Sequence, residues 1–205
     1  MDFENVIGIT GNGDVEMHCQ FENFYEFLKF LEKNKDIADK GRIAWEKPVD
    51  YNRFLQSGCR YFESGYYGKA LEEYQKAREC NPVAITAVFE IAECYICLGR
   101  VEKARRLLLD NVDYFTEVRD AARFYRRMGY IAVEQHKYRL ALSCYIVSGG
   151  YEESSLAKKE ITYILMKKGL DFKVEDPEQE LQKNGLPLID AYYCDKNKLP
   201  EETKA

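Results

Sequence analysis

The side chains that could do chemistry in this sequence are few, and the closest cysteine pair is the first candidate. Cys94 and Cys97 are separated by two residues, a spacing that occurs in redox and zinc motifs. A redox pair needs its thiolate at a helix N-terminus, whereas this pair falls in the later half of a predicted helix, where the dipole acts in the opposite sense. A structural zinc site needs a second pair of ligands at matching spacing, and the sequence offers none. We therefore expect buried structural cysteines, no metal site and no cofactor.

The two histidines do not complete a catalytic constellation. His18 and Cys19 are neighbours in a predicted strand, so their side chains point to opposite faces. His136 falls in a predicted turn between helices and is interpreted as a solvated loop residue. The glycines at 11 and 13 are not a phosphate loop, because no lysine or helix follows them directly. Paired carboxylates and a Ser-His pair are also missing, so an enzyme has no positive support.

Two arginines form the clearest candidate for ligand binding. Arg123 and Arg127 lie one helical turn apart and could hold a carboxylate through charge-assisted hydrogen bonds. The alternative is a solvated or intramolecularly paired run of charge, with Glu117 and Asp120 as the nearest acidic partners in sequence.

The elements that position these groups are indicated by a spaced pattern between residues 51 and 82. The pattern consists of small, aromatic and helix-ending residues, namely Phe54, Gly58, Tyr61, Gly65, Tyr67, Ala70, Tyr74, Ala77 and Pro82. Gly58 and Ala70 are expected where two helices cross, and the three tyrosines are expected to fill the space around the crossing. Gly65 is expected just past the first helix, where positive φ is needed.

The same pattern recurs twice further along the chain. A second unit has its matching residues at Ile91, Ala92, Tyr95, Gly99, Val101, Ala104 and Leu108. A third unit matches after an insertion of three residues, assigned to the turn region at 113–119, and has Tyr125, Met128, Gly129, Ala132, Tyr138, Ala141, Tyr145 and Ser148. Over residues 50–168 the chain resembles the tetratricopeptide repeat family.

The resemblance implies a mostly α fold, an α-solenoid of antiparallel helix pairs wound as a right-handed superhelix. The repeats are expected at 51–84, 85–121 and 122–155. A terminal helix over 154–168 is expected to cap them, with Leu156, Ile161, Ile164 and Leu165 on its apolar side.

The resemblance also implies a peptide-binding groove lined by the first helix of each repeat. Carried over position by position, the lining residues are Asn52, Leu55, Cys59, Phe62, Thr86, Phe89, Glu90, Glu93, Ile96, Arg123, Arg126, Arg127, Tyr130 and Glu134. Family members that clamp the carboxylate of chaperone tails need a lysine and an asparagine in the first repeat and an asparagine in the second repeat. This sequence has Leu55, Cys59 and Glu90 there, and Glu90 would repel a carboxylate. A chaperone clamp is therefore disfavoured.

Residues 1–49 are expected to form a small β-hairpin and an amphipathic helix that pack on the first repeat. A three-residue loop at 11–13 would oppose Ile9 with Val15 and Ile7 with Met17, with Gly13 in the left-handed conformation. The helix is expected within 21–37, and Trp45 is expected to anchor the connection to the repeats.

Residues 169–205 form a C-terminal extension that we expect to be partly disordered after Asp195. Asp176 and Pro177 are typical of a helix start, and Gly185 of its end. The apolar run 188–193 is expected to dock, either over the end of the repeats or in the groove, where it would compete with a partner.

Composition and charge limit the classes of partner. The 205 residues carry a formal net charge of −5, which does not favour nucleic acid. No apolar run approaches the roughly 20 residues that span a bilayer, and the N-terminus lacks a signal-peptide pattern. The seven scattered cysteines favour reduced thiols and a cytoplasmic location.

The sequence thus predicts an interaction scaffold that binds a peptide or protein segment in its groove. A peptide-sensing regulator in signalling is the alternative. Whether the chain forms a homodimer is left open.

Overall fold

The computed structural model describes residues 7–11, 14–19, 21, 24–35, 42–45, 50–115 and 117–191. Side chains are described at residue 21 and over residues 26–35, 50–115 and 117–191. The chain divides into two compact units, Met1–Leu108 and Leu109–Ala205, and each is described by itself. The predicted boundaries at 49/50 and 168/169 stay predictions.

The helices of the first unit follow the repeat pattern. They are α2 (Tyr51–Glu63), α3 (Tyr67–Cys80), α4 (Ile85–Cys97) and α5 (Val101–Asp110), whose last two residues belong to the second unit. Helix α2 packs on α3, and α3 packs on α4. The mostly helical fold is therefore as the sequence predicts.

In each helix pair of the first unit, one glycine ends the first helix. Gly65 has a φ of +78° and Gly99 a φ of +70°. The N–H of the residue after each glycine donates to the carbonyl five residues before it, Tyr66 to Tyr61 at 2.9 Å and Arg100 to Tyr95 at 2.7 Å. This arrangement satisfies carbonyls at the helix end and needs a residue that tolerates a left-handed backbone.

The crossing of α2 and α3 depends on a glycine facing a tyrosine. A Cβ atom on Gly58 would lie 2.5 Å from Cε1 of Tyr74, and Tyr74 is almost fully buried. Ala92 and Leu108, both fully buried, hold the corresponding positions of the second repeat. The second repeat thus has an alanine–leucine pair where the first repeat has a glycine–tyrosine pair.

The core of the first unit contains Ala70, Leu71, Tyr74, Ile91 and Cys94. Ala70 is fully buried, as predicted.

The prediction for Tyr61 is wrong. Its side chain is exposed, and the Lys69 ammonium lies 5.7 Å from its ring centre. Tyr67 is half-buried and packs edge-on against Phe62, with ring centres 5.1 Å apart.

The described residues before the repeats include three strands and one helix. Strands β1 (Ile7–Gly11) and β2 (Asp14–Cys19) pair antiparallel, β3 (Arg42–Trp45) pairs with the other edge of β1, and helix α1 spans Phe24–Lys33. Helix α1 lies within the predicted range, and the sequence analysis did not predict β3.

The pairing of β1 with β2 differs from the predicted register. Ile9 lies opposite Met17, Thr10 opposite Val15 and Gly11 opposite Asp14. The register skips one residue of β2 between Ile9 and Thr10, as in a bulge. Because of this bulge, Ile9 still faces an apolar residue of β2, but that residue is Met17 and not the predicted Val15. The predicted conformation of Gly13 falls outside the described residues, as does the side chain of Trp45.

The segment before the repeats contacts the first unit's helices. The amide of Asn81, at the end of α3, donates to the Glu26 carboxylate of α1 at 3.2 Å. Strand β2 also packs on α3. Phe21, Phe27 and Phe30 are buried, and their rings pack together.

After the last two residues of α5, the second unit has a 3-10 turn at Val112–Tyr114 and then α6 (Val118–Glu134), α7 (Tyr138–Tyr151) and α8 (Ser155–Lys168). The inserted residues do more than lengthen a turn. Helix α6 starts four residues before Ala122, the first residue of the predicted third repeat. Its N-terminus is therefore about one turn longer than the repeat pattern predicts.

The crossing of α6 and α7 repeats the glycine–tyrosine contact. A Cβ on Gly129 would lie 2.9 Å from Cζ of Tyr145. His136 occupies the place of the helix-ending glycines, with a φ of +59°. It is exposed, and the Lys137 N–H donates to the Ala132 carbonyl at 2.8 Å. A histidine thus holds a left-handed conformation that glycine holds in the other two repeats.

Helix α8 packs on α7, and the predicted apolar side is right in part, because Ile164 is buried and Ile161 and Leu165 are half-buried. Ala157 and Ile164 are buried, whereas Leu156 is exposed. The two buried residues are seven positions apart, so Ala157, and not Leu156, lies on the same side of the helix as Ile164. Ser154 caps the helix by accepting a hydrogen bond from the Ala157 N–H.

Helix α9 (Pro177–Lys183) begins and ends as the sequence predicts and packs on α7. Asp176 accepts a hydrogen bond from the Gln179 N–H at 2.9 Å, and Pro177 is the first helical residue. Gly185 ends it with a φ of +70°.

Candidate peptide-binding surfaces

The candidate residues of the first unit lie on α2 and α4, and all but one retain exposed surface. Asn52, Cys59 and Thr86 are exposed. The half-buried members are Leu55, Phe62, Glu90, Glu93 and Ile96. Phe89 is fully buried, so its side chain belongs to the core and not to a binding surface. Its position in the repeat is thus a poor guide to its exposure.

Leu55 and Phe62 serve both the core and the surface. Both pack against the buried cluster around Tyr74 and keep part of their side chains accessible. Helix α2 thus offers partly exposed apolar side chains.

Two carboxylates, those of Glu63 and Glu90, lie near Cys59 on this surface. The Cys59 thiol lies 3.6 Å from Oε1 of Glu63 and donates to it. Desolvation raises the pKa of Cys59, and the hydrogen bond to Glu63 and the charges of Glu63 and Glu90 raise it further. Glu93 lies one turn from Glu90 on α4, a helix without a lysine or arginine. We call Glu63, Glu90 and Glu93 the acidic patch.

The candidate residues of the second unit lie on α6. Arg123, Arg126 and Arg127 are half-buried, whereas Tyr130 and Glu134 are exposed.

Arg126 is held within the unit. Its guanidinium lies 3.0 Å from a carboxylate oxygen of Glu152, at the end of α7, and 3.4 Å from the Ser148 hydroxyl. Ser148 in turn donates to the Ala122 carbonyl at 3.1 Å. Arg126 therefore forms an ion pair within the unit, and its partner is Glu152.

The C-terminal segment docks on α6 and α7 of this unit through tyrosine contacts that sequence reasoning missed. The Tyr125 hydroxyl of α6 donates to the Pro187 carbonyl at 2.9 Å and accepts from the Ile189 N–H at 3.0 Å. The Tyr151 hydroxyl of α7 donates to the Ile189 carbonyl. Tyr125 lies outside the predicted groove positions, so the segment is held on a different part of the helix pair.

The predicted docking residues of this segment are partly corrected. Leu181 and Leu186 are its buried side chains, whereas Leu188 is exposed. The aromatic residues at 192 and 193 lie outside the described residues.

Part of the chain is similar in sequence to known proteins. Superkiller complex protein 3 of Homo sapiens is 32% identical over 78 residues, which are 38% of this chain and 5% of the human protein. Tetratricopeptide repeat protein 37 of Xenopus laevis is 28% identical over 92 residues, 43% of this chain and 6% of that protein. No family model matches the chain.

A solved structure of similar fold is the first tetratricopeptide repeat domain of Spaghetti (RPAP3), bound to the HSP90 peptide SRMEEVD. It has a TM-score of 0.51 at 20% identity and covers 58% of this chain and 92% of the other. This chain has a tetratricopeptide-repeat fold. The resemblance inferred from the spaced glycines, alanines and tyrosines is confirmed at the level of fold.

Within the tetratricopeptide-repeat fold, the prediction that Cys94 and Cys97 are buried is right for Cys94 and wrong for Cys97, whose side chain is exposed. Burial raises the pKa of Cys94 to about 12, and it raises the pKa of Cys144 as well. Over the described side chains, no group of three or more His, Cys, Asp or Glu residues could hold a metal ion. None of the described helices is both long enough and apolar enough to cross a membrane. The cytoplasmic location stays a prediction.

Proposed function

We propose that this chain is an interaction scaffold whose first unit binds an apolar peptide segment that carries lysine or arginine. The observation that carries the proposal is the surface of α2 and α4, where Leu55 and Phe62 expose apolar area next to the acidic patch. Apolar contact supplies affinity, and complementary charge supplies specificity and a fast association rate.

The sign of the charge argues against an acidic ligand at this surface. Desolvation is the main cause of the raised pKa of Cys59, and the negative charges of Glu63 and Glu90 add to it, so both carboxylates contribute a negative field at the thiol. An incoming carboxylate would meet the same field and be repelled, whereas a guanidinium or ammonium would be attracted. The similar domain of Spaghetti is bound to an acidic peptide, and we propose the opposite ligand charge for this chain.

Selection from a random-peptide phage library tests the proposal without a known partner. The baits are the intact chain, the double variant Glu90→Lys/Glu93→Lys, and the control Glu72→Lys, which reverses an exposed charge on α3. We expect peptides rich in apolar and basic residues from the intact chain and the control, and their loss from the double variant. Acidic peptides, or the same peptides from all three baits, would contradict the proposal.

The second unit could contribute through Arg123 and Arg127, the candidate carboxylate site. The variant Arg123→Glu/Arg127→Glu tests this against Arg119→Glu, an exposed arginine of the same helix. If selected peptides bind all three proteins equally, the arginines are not part of a binding surface.

The alternative of a peptide-sensing regulator is favoured by one observation. Asn81 connects α3 to Glu26 of α1, so the segment before the repeats is joined to them by a side-chain hydrogen bond. In this alternative, peptide binding to α2 and α4 would change amide exchange in α1. Unchanged exchange in α1 at saturating peptide would leave the scaffold as the function.

A further inference from the structure

The C-terminal segment is attached to the second unit in the way that a bound peptide is attached to its receptor. Tyr125 brackets the main chain, since one hydroxyl donates to the carbonyl of residue 187 and accepts from the N–H of residue 189. Tyr151 adds a hydrogen bond to the carbonyl of residue 189. Contacts to main-chain atoms hold an extended segment whatever its side chains, and the buried side chain of Leu186 adds selectivity.

The hydroxyl of Tyr125 is not required by the repeat itself. The equivalent positions of the first two repeats hold Phe54 and Val88, and neither has a hydroxyl group. Tyr125 is fully buried, and its ring stacks on Tyr151 at 5.6 Å with an angle of 14° between the planes. Desolvation raises the pKa of both phenols, which keeps the hydroxyls protonated as donors.

The segment also carries its own local structure. The caps of α9 come from residues of the segment, Asp176 at the start and Gly185 at the end, where the Leu186 N–H donates to the Leu181 carbonyl at 3.0 Å. Gly169, Leu170 and Asp171, which precede it, are exposed. The segment is joined to α6 and α7 by the packing of α9 on α7, by the tyrosine hydroxyls and by two buried leucines, Leu181 and Leu186.

We propose that α6 and α7 form a peptide site, separate from the predicted groove, which the chain's own residues 175–191 occupy as a displaceable ligand. The partner that fits it is a protein segment of the same chemistry, a short capped helix followed by an extended Leu-Pro with an apolar residue two positions after the proline. Such a partner binds by displacing the chain's own segment. The site does not depend on the acidic patch or on Arg123 and Arg127.

The test uses the full chain with its own segment dislodged. Leu186→Asp places a carboxylate where a buried leucine lies, and Leu188→Asp is the matched control at an exposed leucine two residues away. A fluorescein-labelled peptide of residues 175–191 is titrated into each protein, and anisotropy is measured. A tethered segment competes at an effective concentration near the millimolar range, so we expect Leu186→Asp to bind the peptide at least about tenfold more tightly than the intact chain or the control.

A third protein isolates the hydroxyl contacts. Adding Tyr125→Phe to Leu186→Asp keeps the aromatic ring and removes the bracket, which should weaken peptide binding by about fivefold. Arg123→Glu/Arg127→Glu in the same background should leave the affinity unchanged, which separates this site from the predicted groove.

Two results would overturn the proposal. One is a folded Leu186→Asp chain, with intact far-UV circular dichroism, that binds the peptide no better than the control. The other is the loss of folding of the second unit in Leu186→Asp, because the segment would then be part of the core and not a ligand.

Discussion

The glycine–tyrosine contact between α2 and α3 gives a prediction whose sign depends on the partner residue. A methyl group at Gly58 would start 2.5 Å from Cε1 and 2.6 Å from Cδ1 of Tyr74. Carbon atoms need about 3.5 Å, so the ring would have to move by about 1 Å in a buried site. Overpacking of this kind costs about 1–3 kcal/mol, while alanine in place of glycine returns up to about 1 kcal/mol of helix propensity.

We therefore expect Gly58→Ala to lower the free energy of unfolding by about 1–2 kcal/mol. The same change should be neutral or stabilising, by up to about 1 kcal/mol, in a Tyr74→Leu background, because the methyl then occupies space that the ring vacated. The second repeat already contains this pair as Ala92 and Leu108, both fully buried. The sign of the effect should thus reverse between the two backgrounds.

Urea unfolding followed by far-UV circular dichroism measures all four proteins of this cycle, and Gly68→Ala serves as the control. Gly68 is also helical, but a Cβ there meets no atom within 4 Å, so it should be neutral or slightly stabilising. Destabilisation of Gly58→Ala by the same amount in both backgrounds would refute the crossing argument.

The remaining predictions concern the other repeat positions and one thiol. His136→Gly should raise the free energy of unfolding by about 1 kcal/mol, since the backbone there is left-handed, and an unchanged value would show that the histidine is not strained. Ala70→Leu should cost about 1–3 kcal/mol at a fully buried crossing, and an unchanged melting temperature would mean that the repeat phase is wrong. Alkylation of Cys59 should have its pH midpoint above that of a free cysteine, because the thiolate is disfavoured, and Glu63→Gln should move the midpoint to lower pH. A pH midpoint that is the same in Glu63→Gln would contradict the hydrogen bond between Cys59 and Glu63.

The parts of the fold that sequence predicts well are those where the backbone allows few residue types. Gly65 marks a helix end because its φ is positive, and Gly58 marks a close approach that a Cβ would block. Both constraints act within one helix pair, so one copy of the pattern is enough to recognise them. They fix the phase of the repeat and most of its core.

Residues whose role depends on distant chain segments were predicted less well. Phe89 has a groove position but is fully buried, and Leu156 has a core position but is exposed. Arg126 pairs with Glu152, which is 26 residues away, and no local pattern indicates that partner.

The tyrosine contacts to residues 187–189 were also beyond sequence reasoning. They join residues more than 35 positions apart and involve main-chain atoms, which carry no sequence signal. The hydroxyl of Tyr125, where the other repeats have Phe54 and Val88, is the one hint that the sequence offers.

The most direct test of the account is the affinity of a phage-selected basic peptide for the first unit's surface in the full chain. Anisotropy titrations would compare the intact chain, Glu90→Lys/Glu93→Lys and the control Glu72→Lys. We expect the double charge reversal to weaken binding at least about tenfold, while the control binds like the intact chain. Equal affinity for all three proteins would contradict a binding surface on α2 and α4.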